Sequence, residues 1–166
     1  MEERPSRWGV GPRIAAVALA WAAIAGVATR VWPGACLITF LPRAALVVPG
    51  GLLVLFGFAM LVASARALNE AYRRRCLVDS GVFGLVRHPI YSAWIVLIVP
   101  GLALLTRSWP LLLTPIVAFI AFKRLIHRED DYLAREFGSA WVQYRNRVNE
   151  LFPIPRVRRR GYDRAS

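Results

Sequence analysis

Two short segments about forty residues apart carry the chemistry-bearing groups of an otherwise apolar chain. The first reads Gly81-Val82-Phe83-Gly84-Leu85-Val86-Arg87-His88-Pro89-Ile90-Tyr91. The second reads Arg128-Glu129-Asp130-Asp131-Tyr132-Leu133-Ala134-Arg135-Glu136-Phe137-Gly138. Each lies at the end of an apolar stretch able to enter a membrane, where polar groups are costly and usually functional. Ser80-Gly81 is a turn signal, and Pro89 suits the first turn of a helix, where its missing N–H costs nothing. His88 then stands at the helix entrance, and Tyr91, three residues on, shares nearly the same face. Backbone N–H groups near that entrance are expected to be free to bind a negative or polar group. Taken alone, His88 reads first as an interfacial histidine capping a helix. In the second segment, three consecutive acids stand out in a basic chain. Glu129 precedes Leu133 by one helical turn and is expected to project toward the same buried side. Asp131 is expected on a solvated face, among Arg124, Arg128 and Arg135.

The elements that must position these groups are apolar helices. Of 166 residues, 57% are hydrophobic, which is too many for an ordinary soluble domain and fits a small polytopic membrane protein. The expected fold is all-α, a bundle of about four spans. Apolar stretches cover residues 14–32, 44–65, 91–106 and 109–126. A full span needs about 20 residues. The first two stretches qualify, whereas the last two are short and broken by Pro100 and Pro115. They are expected to form a tight hairpin whose neighbours satisfy the freed backbone groups. The N-terminus is expected to be a retained first span, not a cleaved signal. Cys36 and Cys76 fall in different loops with no metal-ligand spacing, so neither a disulfide nor a metal site is expected.

Net charge is +12, yet the arginines flank apolar runs, so anionic lipid headgroups are the expected partner in place of nucleic acid. With the N-terminus, the 66–90 loop and the C-terminal part on one side, that side holds nineteen Lys and Arg. The other holds three: Arg30, Arg43 and Arg107. The asymmetry predicts both termini in the cytoplasm. Beyond Ile126, residues Leu133, Phe137, Trp141, Tyr144, Val148 and Leu151 form one apolar stripe at helical spacing. This predicts an amphipathic helix on the membrane interface, interrupted near Gly138, followed by a basic tail at 156–166.

The order Gly-Val-Phe, Arg-His-Pro-x-Tyr, a hydrophobic hairpin, Glu-Asp-x-x-Leu-x-x-x-Phe-Gly, a later Tyr and a terminal Phe-Pro resembles the isoprenylcysteine carboxyl methyltransferase family. The broader group includes bacterial phospholipid N-methyltransferases. The likeness covers about residues 76–155. It implies one membrane methyltransferase domain over 1–166, with two spans in 1–65, a cofactor-binding catalytic core in 66–155 and the tail beyond. It also implies S-adenosylmethionine as cofactor, held by Arg75, Cys76, Leu77, Val78, Phe83, His88, Pro89, Ile90, Tyr91 and Glu129. Glu129 would pair with the ammonium, while Leu77, Val78 and Phe83 would form an apolar bed for adenine. His88, Tyr91 and Arg128 are the candidate catalytic residues. Where the family usually has Glu-Glu this chain has Glu129-Asp130, and the shorter side chain points away from a site role for Asp130. The carboxyl methyltransferases also place an arginine four residues before the glutamate, where this chain has Leu125.

The implied reaction moves a methyl group to a lipophilic acceptor entering from the bilayer. A lipid-modified cysteine carboxylate and an ethanolamine phospholipid are both open. A nicotinamide-dependent membrane reductase is the rival enzyme, without a Gly-rich dinucleotide fingerprint in its favour. A non-enzymatic scaffold holding anionic lipid is the rival of another class.

Overall fold

The computed structural model describes residues 10–74 and 76–154. Arg75, the N-terminal charges before residue 10 and the basic tail lie outside the described residues. The described chain is helical, and its one β-type pairing is an isolated bridge between Leu37 and Ser108. Among the described residues three helical runs are long and apolar enough to cross a membrane: Gly11–Val31, Arg43–Arg74 and Pro89–Thr106.

The first helix, α1 (Gly11–Val31), starts on Gly11-Pro12 and stops at Trp32-Pro33, where proline opens a single turn, α2 (Pro33–Cys36). The second long helix, α3 (Arg43–Arg74), has 32 residues, or about 48 Å at 1.5 Å per residue. The apolar stretch alone predicted an end before Arg66, but the helix continues for two further turns. That continuation brings Ala67 and Leu68 against the C-terminal part of the chain. Two one-turn helices follow, α4 (Val82–Leu85) and α5 (Pro89–Ser92).

The third run does not break at Pro100 as a proline-interrupted stretch would. A π-helical segment (Ala93–Ile98) widens the turn just before α6 (Val99–Thr106), which carries Pro100 in its first turn. The proline's missing donor is thus absorbed where the helical ladder is already irregular. The run packs tightly on α3 through glycine. A Cβ added at Gly101 would lie 2.7 Å from the Gly50 carbonyl oxygen, and one at Gly57 would lie 2.5 Å from Ile98 Cγ1. Gly50, Gly57, Ser64 and Ala71 recur every seven residues on the buried face of α3, so small side chains let the backbones approach.

Arg107, in the left-handed conformation at φ 56°, turns the chain after α6. The following segment is bound to the turn after α2. Ile38 donates its N–H to the Arg107 carbonyl at 2.8 Å, and Trp109 Nε1 donates to the Ala35 carbonyl at 2.8 Å. The fourth apolar stretch gives a 3₁₀ turn (Leu111–Leu113) and α7 (Thr114–Leu125), which has 12 residues and is shorter than a full span. Then α8 (His127–Arg147) follows with a bend at Gly138, whose φ of 53° and ψ of −127° suit glycine.

Two clusters of buried side chains result. One joins α1, α7 and the π segment through Val10, Ile14, Ile95, Ala118, Phe122 and Ile126, and it includes Leu151. The other joins Phe83 to Trp141, Tyr144 and Val148. The amphipathic stripe after Ile126 is therefore largely spent on contacts within the chain. Leu19, Leu55 and Phe56 on the long helices remain well exposed, as helices surrounded by lipid require.

Candidate functional site

The site is built where the C-terminal segment lies alongside the entrance to α5. Arg87 donates its N–H to the Asn149 carbonyl at 2.7 Å, and His88 donates its N–H to the Glu150 carbonyl at 3.0 Å. Ser92 Oγ donates to the Leu151 carbonyl at 2.6 Å. The Arg87 and His88 N–H groups, just before the first turn of α5, are thus taken up by the chain itself. In exchange the backbone on both sides of Pro89 is fixed, and with it the directions of Arg87, His88 and Tyr91.

Three side chains meet there. Tyr91 Oη donates to Glu129 Oε2 at 3.0 Å, and Glu129 Oε1 lies 3.9 Å from His88 Nδ1. His88 Nε2 is 3.1 Å from Asp130 Oδ1. The Phe122 ring completes the setting, with its centroid 5.7 Å from that of His88 and 5.3 Å from that of Tyr91. Gly11 at the start of α1 lies against Tyr91, since a Cβ there would be 3.6 Å from the phenol oxygen. Glu129 keeps 27% of its side chain exposed, so this carboxylate remains within reach of a ligand.

Behind the cluster runs a chain of charges that starts buried at Asp130 and Arg87 and emerges at Glu150 and Lys123. Arg87, with its side chain 1% exposed, binds Asp130 Oδ2 through Nη1 at 3.2 Å and Glu150 Oε1 through Nη2 at 3.2 Å. Lys123 Nζ reaches the other Glu150 oxygen at 2.6 Å. Burial by itself would push the Asp130 carboxyl up. The hydrogen bond with His88 and the charges of His88, Arg87 and Arg145 outweigh it, so the carboxyl ionises below its ordinary value. Glu150 behaves in the same way: burial raises it, but the hydrogen bond and charge of Lys123, then the charge of Arg87, bring it below its ordinary value.

The aromatic half of the site sits next to this network. The Arg87 guanidinium lies 5.9 Å from the centroid of the Trp141 ring, and Tyr144 Oη donates to the Phe83 carbonyl at 2.8 Å. Beside it a groove of about 250 Å³ is lined by Leu77, Asp79, Ala140, Gln143, Tyr144 and Arg147. Burial pushes the Tyr144 phenol well up, so it stays a neutral donor.

Of the residues singled out from sequence, His88, Tyr91 and Glu129 come together directly. Pro89 is buried behind them and Ile90 is half-buried. Phe83 is buried against Trp141, with half-buried Leu77 and Val78 packed on the same cluster. Cys76 is exposed just after α3. Arg128 is exposed on α8 and takes part in none of the cluster's hydrogen bonds or ion pairs. Leu125 packs against the Phe122 cluster, so an apolar residue at this position meets apolar neighbours. Asp131 is exposed. Asp130, whose shorter side chain is expected to point away from a site role, is 6% exposed and joins His88 to Arg87. Arg87, Lys123 and Glu150 were missed altogether. Arg87 stands inside the quoted motif, but its partners are 43 and 63 residues away in sequence, and no local spacing signals them.

Fold and site together define a helical membrane protein with a carboxylate, phenol and imidazole gathered at the mouth of its third long helix. A model of the isoprenylcysteine carboxyl methyltransferase (ICMT) family matches residues 51–135, and the chain belongs to this family. It is similar to a protein-S-isoprenylcysteine O-methyltransferase of Schizosaccharomyces pombe, 30% identical over 119 residues, covering 72% of this chain and 46% of the relative. The enzyme of that name from Xenopus laevis is 29% identical over 137 residues, covering 77% and 46%. Protein-S-isoprenylcysteine O-methyltransferase B of Arabidopsis thaliana is 32% identical over 78 residues, covering 47% and 40%. The chain thus spans less than half the length of these relatives. No solved structure matches it.

Proposed function

We propose that this chain is an integral membrane methyltransferase that takes its methyl group from S-adenosylmethionine and delivers it to a lipophilic acceptor of the isoprenylcysteine carboxylate type. The observation that carries the reading is the partly exposed Glu129 side chain, held by Tyr91 with His88 nearby, in a member of this family. The residues present fit the donor. A carboxylate open to solvent suits its ammonium, and the aromatic cluster with the groove beside Leu77 and Tyr144 suits a flat base. When bound, the donor supplies a methyl group on a sulfonium sulfur and leaves as a neutral thioether.

The chain's own contribution is alignment and exclusion of water. A carboxylate acceptor needs no general base, only a near-attack position and loss of its hydration, effects worth several kcal/mol. Glu129, held by the Tyr91 hydroxyl, would anchor the cationic end of the donor. The Phe122 ring, from α7, packs against Tyr91 beside the anchor at 5.3 Å between centroids.

A second reading, an ethanolamine phospholipid as acceptor, is favoured by Leu125. The position from which an arginine would hold a carboxylate carries an apolar side chain packed among apolar neighbours. An amine must lose a proton before it attacks, and His88 or Glu129 would accept it.

For topology we propose four apolar passes, the last two a hairpin of the stretches 91–106 and 109–126, with both termini in the cytoplasm. The uneven distribution of Lys and Arg supports this arrangement.

Binding of S-adenosylhomocysteine to detergent-purified protein tests the cofactor. The wild type should bind and Glu129→Ala should not, and no binding by the wild type would sink the assignment. Lipid extracts incubated with methyl-labelled donor then separate the acceptors: base-labile label means an ester and base-stable label an N-methyl group.

A further inference from the structure

Both ring nitrogens of His88 face carboxylates, but at unequal range. Nε2 lies 3.1 Å from Asp130 Oδ1, a hydrogen bond, whereas Nδ1 lies 3.9 Å from Glu129 Oε1, too far for one. Among the described residues Asp130 is the one group within hydrogen-bond distance of the ring. Asp130 is itself aimed. Its N–H donates to the Ile126 carbonyl at 3.0 Å, and Arg87, a donor-only group, takes its second oxygen. The His88 backbone is pinned by Glu150, so the ring has few ways to turn.

An ionised carboxylate accepts and cannot donate. Its partner nitrogen must therefore carry the proton, and in neutral imidazole the other nitrogen is then bare. The bare Nδ1 points toward Glu129 Oε1, and Tyr91 supports the same carboxylate from the other side. The gap between Nδ1 and Oε1 is lined by two acceptors, which a cationic N–H group can bridge.

We propose that Asp130 is a positioning residue that holds His88 in the Nε2-protonated tautomer, so that Nδ1 and Glu129 form a paired acceptor for a cationic amino group. Its ligand side rests on the cofactor reading above, whereas its tautomer side does not. The consequence for Asp130→Asn is specific. Arg87 offers only donors, so the substituted amide turns its oxygen to Arg87 and its NH₂ to His88 Nε2. The ring proton then moves to Nδ1, which aims an N–H at Glu129 and removes an acceptor.

The test is ¹⁵N NMR of full-length protein labelled at histidine, with the neutral ring observed on its alkaline plateau. The chain has two histidines, and His127→Gln assigns the signals. The expected wild-type spectrum has a protonated Nε2 and a bare Nδ1 for His88. Asp130→Asn should invert it and weaken S-adenosylhomocysteine binding about tenfold or more, and Asp130→Glu should keep the wild-type tautomer. A wild-type ring protonated at Nδ1 overturns the proposal, as does an uninverted Asp130→Asn. If that variant does not fold, the wild-type spectrum decides alone. Wild-type protein with the expected tautomer that binds no S-adenosylhomocysteine would defeat the cofactor reading and leave the tautomer assignment standing.

Discussion

At the residue scale, the site depends on a small number of charged hydrogen bonds with distinct tasks. Tyr91 holds the Glu129 carboxylate at 3.0 Å, and such a bond to a charged group contributes about 1.5–3 kcal/mol. Tyr91→Phe should therefore weaken S-adenosylhomocysteine binding by roughly tenfold or somewhat more, as read by calorimetric titration, and lower the melting temperature as well. The two acids bound to Arg87 have a different signature. Asp130 and Glu150 ionise more readily in the folded chain than in the unfolded one, so as acid is added the unfolded chain takes up protons first. Their stabilisation is fully present above about pH 5 and is lost as pH falls below about 4, toward their depressed values. The apparent melting temperature in detergent should be nearly level from pH 7 to 5 and drop below that. Asp130→Asn should start lower and fall less. Local pattern exposed Glu129, because one helical turn relates it to the apolar stripe. It did not expose Asp130, because what makes an acid tolerable inside a protein is a distant partner, here Arg87.

At the element scale, glycine decides how closely α3 and the Pro89–Thr106 run approach. The Gly101 Cβ position would meet the Gly50 carbonyl at 2.7 Å and Val54 Cγ2 at 2.8 Å, and a backbone carbonyl cannot swing aside. Gly101→Ala should push the helices apart and cost about 1–3 kcal/mol. Gly26→Ala on α1 meets nothing within 4 Å and should leave the melting temperature unchanged or slightly raised. Comparing the two variants by thermal denaturation in one detergent separates a packing glycine from an incidental one. The same contact bears on the site. The π segment and α5 ride on this run, so moving it moves His88 and Tyr91 against Glu129 on α8. Hydropathy alone located the apolar runs. It did not reveal that Pro100 is carried inside one continuous run by a π turn, because the accommodation depends on helical geometry as well as composition.

At the scale of the whole molecule, the chain returns to its own middle. Residues 149–151 leave α8, pair with the Arg87-His88 backbone and bury Leu151 to 2% exposure beside Phe122. Leu151→Ala should cost about 2–5 kcal/mol, in the range for deleting a buried leucine side chain. It should also make the C-terminal segment more sensitive to limited proteolysis, a readout that follows the closure itself. What the sequence determined by itself is the helical, apolar character of the chain and the identity of the groups at its helix ends. Composition and period act locally, so residues 11–31 or the stripe from Leu133 to Tyr144 declare themselves without knowledge of any neighbour. The motif order also carried the likeness to a methyltransferase family. Only the tertiary structure decided which acid keeps an exposed side and which is buried behind it, and that the Arg87 and His88 N–H groups just before α5 belong to the C-terminal segment. Only folding reveals that Arg87 is the hub between Asp130 and Glu150. These are matters of charge compensation across more than forty residues, and a buried charge acquires its partner only when the chain closes on itself.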